Sequence, residues 1–145
     1  MKKIVIGLFA SLALLQVGAE ELTWLTDVPK AVAKAKEEKK LVMLDFTGSD
    51  WCGWCIKLHK EVFSKPEFAE YAKKNLVLVE VDFPRAKKQS AELKKANEEL
   101  QAKYKIEGYP TIIVLNGEGK KVGVTGYVEG GPKAWLAELD KQVKK

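Results

Sequence analysis

The chain has only two cysteines, one histidine and two methionines among its 145 residues. Two cysteines and His59 fall short of the roughly four ligands that a structural zinc site takes, so no such site is expected within one chain. Covalent haem attachment is excluded too, because Ile56 and not a histidine follows the second cysteine. A one-sided charge is also missing. The 25 basic residues stand against 20 acidic ones, a formal net charge of +5, and the lysines are interleaved with glutamates as on solvated helix faces. The basic stripe with stacking aromatics that nucleic-acid binding uses is absent. Long apolar runs are lacking as well: even Ile4 to Val17, broken by Gly7, Ser11 and Gln16, is shorter than the roughly 20 residues of a membrane span.

That run does fit a leader. Lys2-Lys3 is a positive start, Val17-Gly18-Ala19 is a small-residue cleavage site, and polar sequence begins at Glu20-Glu21. The pattern predicts a secretory signal peptide over 1–19, cleaved after Ala19, and one domain over 20–145. A lipoprotein signal would need a cysteine at the cut, and neither Ala19 nor Glu20 is one. Cleavage removes Lys2 and Lys3 and lowers the net charge from +5 to +3. The mature protein is then expected in the periplasm or outside the cell, where a disulfide persists.

Both cysteines fall in Trp51-Cys52-Gly53-Trp54-Cys55. At a separation of three, both sulfurs sit on one face of a helical turn, and a reversible disulfide is geometrically easy. The first sulfur lies at a helix N-terminus, which favours its thiolate. Leu41 to Phe46 just before it reads as a short buried strand. Strand, Cys-x-x-Cys, helix is the layout of a thiol–disulfide exchange site. The alternative is a static staple, but so small a loop gives a disulfide little chain entropy to remove.

Around this centre, Asp27 caps a helix that runs to about Lys39, with Val28, Ala31, Val32 and Ala35 as its apolar stripe. A helix follows the cysteines to about Phe63. Ser64 and Glu67 have capping-box spacing for another, ending near Asn75. Leu76–Val81 is a buried strand, and residues 85–104 read as a long charged helix. Strand Thr111–Leu115, the turn Asn116-Gly117-Glu118-Gly119 and strand Lys120–Tyr127 form a hairpin before a last helix carrying Trp135, Leu136, Leu139 and Val143 inward. Leu22 to Leu25 is only a lead-in. The order predicts an α/β fold: a mixed four-stranded sheet with helices on both faces.

This order resembles the thioredoxin family over nearly all of the mature chain. The resemblance rests on Asp45-Phe46 ahead of Trp51-Cys52-Gly53-Trp54-Cys55, on Gly108-Tyr109-Pro110-Thr111 as the cis-proline loop, and on Gly126 late in the last strand. The Thr47-Gly48-Ser49-Asp50 approach is similar to exported thioredoxin-like proteins with a longer active-site loop. Two departures stand out. Asp45 lies seven residues before Cys52, one more than in thioredoxin, so a bulge near Gly48 must absorb the extra residue. Thioredoxin's lysine beside the buried acid has no counterpart in Val77-Leu78-Val79-Glu80-Val81, so desolvation should push the Asp45 pKa up.

The resemblance implies roles. Cys52, the more exposed sulfur, attacks a client disulfide; Cys55 resolves the mixed disulfide; Asp45 takes the Cys55 proton. A cis bond before Pro110 presents the Tyr109 backbone to an extended client. Trp51, Trp54 and Tyr109 form an apolar rim, or simply pack. Gly53-Trp54 sets the redox poise, and Asp50 opposes a very low Cys52 pKa. His59 is expected at the surface. The expected function is an exported thiol–disulfide oxidoreductase, a reductase before an oxidant, monomeric and without metal or organic cofactor. It is expected to exchange with protein thiol clients and a redox partner such as a membrane electron donor. The other readings are a disulfide oxidant or isomerase, and a binding module with a passive disulfide.

Overall fold

Residues 21–143 are described by the computed structural model, so the predicted leader lies outside the described residues. In chain order the elements are β1 (Trp24–Leu25), α1 (Val28–Glu38), β2 (Leu41–Thr47), α2 (Gly53–Leu58), α3 (Pro66–Asn75), β3 (Leu76–Asp82), α4 (Ala91–Tyr104), β4 (Thr111–Leu115), β5 (Lys121–Thr125) and α5 (Gly131–Val143). A π-helical turn, His59–Phe63, prolongs α2.

The sheet has five strands in the order β1-β3-β2-β4-β5, not the four expected. β3 runs parallel to β1 and β2, whereas β4 is antiparallel to β2 and β5. The added strand is two residues long, Trp24 and Leu25 opposite Leu78 and Val79. Two residues are too few to show a period-2 pattern.

Asp27 caps α1 as its sequence predicts, accepting the Lys30 N–H at 2.9 Å. Ser64 does not cap α3. Its hydroxyl donates back to the Lys60 carbonyl, and Lys65 is the N-cap, without a side-chain bond. α4 starts at Ala91 rather than 85, with Ser90 accepting the Leu93 N–H at 3.1 Å. Residues 83–90 form a loop instead, because the amides of Arg85, Ala86 and Lys87 are bound by Asp50.

Alternation along the strands makes two cores. Val42, Leu44, Phe46, Val77, Val79, Val81, Ile113 and Leu115 pack with Ala31 and Ala35 of α1. Met43, Leu78, Ile112 and Val114 face the other way, onto Leu58, Val62, Phe63, Phe68, Trp135 and Leu139. Each fully buried side chain of this size contributes about 1.5–3 kcal/mol. Successive residues alternate in face, so Asp45 and Thr47 follow Met43, and Glu80 and Asp82 follow Leu78. The α2 face of the sheet thus turns from apolar to polar at the C-terminal ends of its two central strands.

Candidate active site

The end of β2 delivers the chain into a tight turn in which the Gly48 carbonyl accepts from Trp51 N–H at 3.2 Å and Cys52 N–H at 2.8 Å. This turn absorbs the extra residue between Asp45 and Cys52. Gly48 is required there: a Cβ would lie 2.4 Å from the Trp51 ring. Cys52 then leaves the turn extended, at φ −82° and ψ 105°, and caps α2, its sulfur accepting the Cys55 N–H at 3.2 Å. A sulfur placed to accept an amide proton is better stabilised as a thiolate. Cys52 and Cys55 are joined in a disulfide, with Cα atoms 5.2 Å apart. Both are buried, Cys52 at 7 % exposure and Cys55 at 5 %, so Cys52 is the more exposed residue by a narrow margin. Exposed Gly53 and Trp54 lie between them.

Behind the disulfide, a cavity of about 330 Å³ is lined by Asp45 and Cys55 together with Thr47, Ser49, His59, Glu80 and Lys87. Asp45 is buried, and its Oδ1 has no hydrogen-bond partner. Desolvation, with smaller repulsions from Glu80 and Asp82, pushes its pKa up to about 8. Desolvation leads these causes even though Lys87 lines the same cavity. Near neutrality such a carboxyl is largely protonated, and its ionised fraction, which can accept a proton, grows as pH rises toward 8. Exposed His59 packs its ring edge-on against Phe63. Among the described residues, no three His, Cys, Asp or Glu side chains gather as a metal site.

The rim has two halves. On one, Trp51 is half-buried: its indole N–H donates to the Phe83 carbonyl at 2.8 Å, Arg85 lies 3.8 Å over its ring, and Tyr109 meets it edge-on at 5.9 Å. Tyr109 also contacts Phe83 and accepts the Gln101 side-chain N–H at 2.9 Å. The Tyr109–Pro110 peptide is cis. Pro110 precedes Thr111, which pairs with Phe46 beside the Cys52 turn, and a Cβ on Gly126 would lie 3.2 Å from the Pro110 carbonyl oxygen. On the other half, Trp54 is 57 % exposed and packs on Tyr127 at 5.0 Å, with the Lys57 ammonium 5.1 Å from both rings.

A family model described as thioredoxin-like domain matches residues 28–142. The chain belongs to the thioredoxin-like family. This thioredoxin-like protein is 36% identical over 128 residues to the disulfide bond reductase DsbH of Chlamydia pneumoniae, an alignment covering 88% of this chain and 76% of that one. The thioredoxin-related protein DsbJ of the same organism is 33% identical over 104 residues, 72% of this chain but only 30% of DsbJ. A solved DsbH oxidoreductase structure superposes with a TM-score of 0.80 at 36% identity, covering 86% of this chain and 85% of that chain. The chemistry of this thioredoxin-like protein is thiol–disulfide oxidoreduction.

Several groups at the site escape a sequence reading. Glu80 enters only through the β2–β3 register, which sets it opposite Asp45. Tyr127 is brought to Trp54 by the docking of the segment after β5, Lys57 lies beside Trp54 one turn further along α2, and Arg85 reaches Trp51 through the loop tied to Asp50. A cation one helical turn past Trp54 was the one available hint, at Lys57.

Proposed function

We propose that the protein is an exported reductase of protein disulfides, in which Cys52 attacks the client, Cys55 resolves the mixed disulfide and Asp45 accepts the Cys55 proton. The observation that carries this reading is the cavity shared by Asp45 and Cys55, with the Asp45 Oδ1 unpartnered behind a disulfide at the mouth of α2. A thiol that must ionise in order to attack needs an acceptor in reach, and the ionised form of this carboxyl, in the same cavity as Cys55, supplies one. Support for the reducing direction comes from the relative named a disulfide bond reductase, and from tryptophan at position 54, where a histidine would stabilise the Cys52 thiolate and favour an oxidant. Export rests on the leader pattern of residues 1–19. In an oxidising compartment the pair needs recharging by a redox partner such as a membrane electron donor, and clients are proteins with accessible disulfides held along Trp54, Tyr109 and Pro110.

The test is the reduction potential of the Cys52–Cys55 pair, read by equilibration against a dithiothreitol series. A reductase falls near the value of about −270 mV typical of thioredoxin. A value near −120 mV reverses the direction. A bond that stays oxidised throughout means a passive disulfide in a binding module.

A further inference from the structure

We infer that Glu80 is the outlet for the proton collected by Asp45: facing it across the β2–β3 ladder in one cavity, Glu80 hands that proton from the buried carboxyl to water. The inference rests on the dithiol reading of Cys52 and Cys55 proposed above.

Its basis is geometric. Asp45 and Glu80 are register partners in the parallel ladder, and by parity both side chains stand on the α2 face. Both line the cavity that also holds Cys55. Asp45 is 8 % exposed with an unpartnered Oδ1, whereas Glu80 is half-buried and so reaches toward solvent. On the other side of Asp45 stands Ile112 of β4, which carries no proton. The titratable groups facing Glu80 are Asp45 from β2, Asp82 from β3, Cys55 from α2, His59 and Lys60 from the π-turn, and Lys87 from the loop after β3. Burial and Asp82 raise the Glu80 pKa, while Lys87 and His59 oppose the rise, which keeps it a carboxyl able both to take and to release a proton.

An outlet is needed because of what Asp45 does. In the resolving step Cys55 gives its proton to Asp45, and the Cys55 sulfur attacks the Cys52 sulfur of the mixed disulfide. The Cys52–client bond breaks, the Cys52–Cys55 bond forms, and the client sulfur leaves as a thiolate. The cysteine pair gives up two electrons and the client disulfide is reduced by them. Only the Asp45 carboxylate can take that proton; the step leaves it neutral, the form that burial favours. It can act again only after losing that proton. The Glu80 carboxylate accepts it across the ladder and releases it at the open end of the cavity. Glu80 touches no reacting sulfur; it is a positioning residue that acts through Asp45.

The test is steady-state reduction of a disulfide-bonded model peptide, with dithiothreitol as electron source, by wild-type protein and Glu80→Gln across a pH series. In dilute buffer Glu80→Gln is expected to turn over about tenfold more slowly. Added imidazole, a small mobile proton carrier, should restore its rate and leave the wild type unchanged. The inflection of the rate–pH profile should move to lower pH, because one of the two carboxylates that hold the Asp45 pKa up is gone. Where the amide variant does not fold, Glu80→Ser is read in the same way. A variant rate equal to wild type at every pH, or a slowed rate that imidazole leaves slow, overturns the relay. A wild type that turns over beside an unaffected variant sinks the relay alone. A wild type that never reduces the peptide removes the oxidoreductase reading and the relay with it.

Discussion

The carboxylate of Asp50 accepts the backbone N–H of Arg85 at 3.0 Å across 35 residues of sequence, and the Ala86 and Lys87 amides bind the same group at 2.7 and 2.9 Å. One side chain two positions before Cys52 thereby ties the loop after β3 to the active-site turn. The loop in turn lays Arg85 over Trp51 and offers the Phe83 carbonyl to its indole. Ser49 reinforces the junction by donating its N–H and hydroxyl to Asp82, and Phe83 N–H bonds the Thr47 carbonyl. The Asp50 charge is thus spent largely on the loop amides.

Replacing Asp50 with alanine should free this loop. Amide exchange at Arg85, Ala86 and Lys87 is expected to rise by about tenfold or more, while the strand amides of β2 keep their protection. The wild type makes a matching pH prediction. The Arg85 amide above all, then those of Lys87 and Ala86, hold the Asp50 pKa down at about 2, against an ordinary value of 3.8. An acid with a depressed folded pKa contributes stability that is present above its ordinary value and lost as pH falls through the folded one. The loop should therefore stay protected down to about pH 4 and open between there and about pH 2. Protection unchanged across that window would show that the Asp50 bonds do not hold the loop.

Asp45 has the opposite sign. Its folded pKa of about 8 lies above the ordinary 3.8, so between those values the folded state keeps a proton that the unfolded chain has lost. Stability contributed by this group is present at low pH and falls as pH rises through that window, by up to about 1.4 kcal/mol for each pH unit. Asp45→Asn should remove that slope and make the oxidised protein more stable than wild type at pH 8, with the gain shrinking toward pH 4. Urea unfolding at the two pH values measures it. Parallel unfolding curves for the two proteins at both values would mean that Asp45 is ionised in the fold.

Gly48→Ala tests the turn. A methyl group 2.4 Å from the Trp51 ring forces the indole aside and breaks its bond to Phe83 and its contacts with Arg85 and Tyr109. Overpacking of this kind typically costs about 1–3 kcal/mol. Equilibrium unfolding followed by tryptophan fluorescence should show that loss together with an altered native spectrum. An unchanged midpoint and spectrum would mean that the turn relaxes without moving Trp51.

Element order was readable because each long element carries its own local signal. Asp27 caps as a short polar side chain does, and Trp135 and Leu139 lie where helical spacing puts them, buried in α5. β1 was not readable, since two residues have no period, and neither was the late start of α4. Its charged N-terminal stretch is helix-compatible by propensity, but amide bonds to Asp50 compete for it, and those form only when β2 and β3 lie side by side.

The site divides in the same way. The spacing of Cys52 and Cys55 after a buried strand was enough to set a redox pair at a helix start, because sulfur chemistry and helix capping are local in sequence. Asp45 was readable as an acid on an apolar strand without a cation nearby. What it faces was not. The opposition of Glu80, the cavity joining Asp45 to Cys55, and the gathering of Trp51, Arg85 and Tyr109 all depend on strand register and loop docking. Register is set by burying both faces of the sheet at once, a condition on the whole chain that no short stretch of sequence carries.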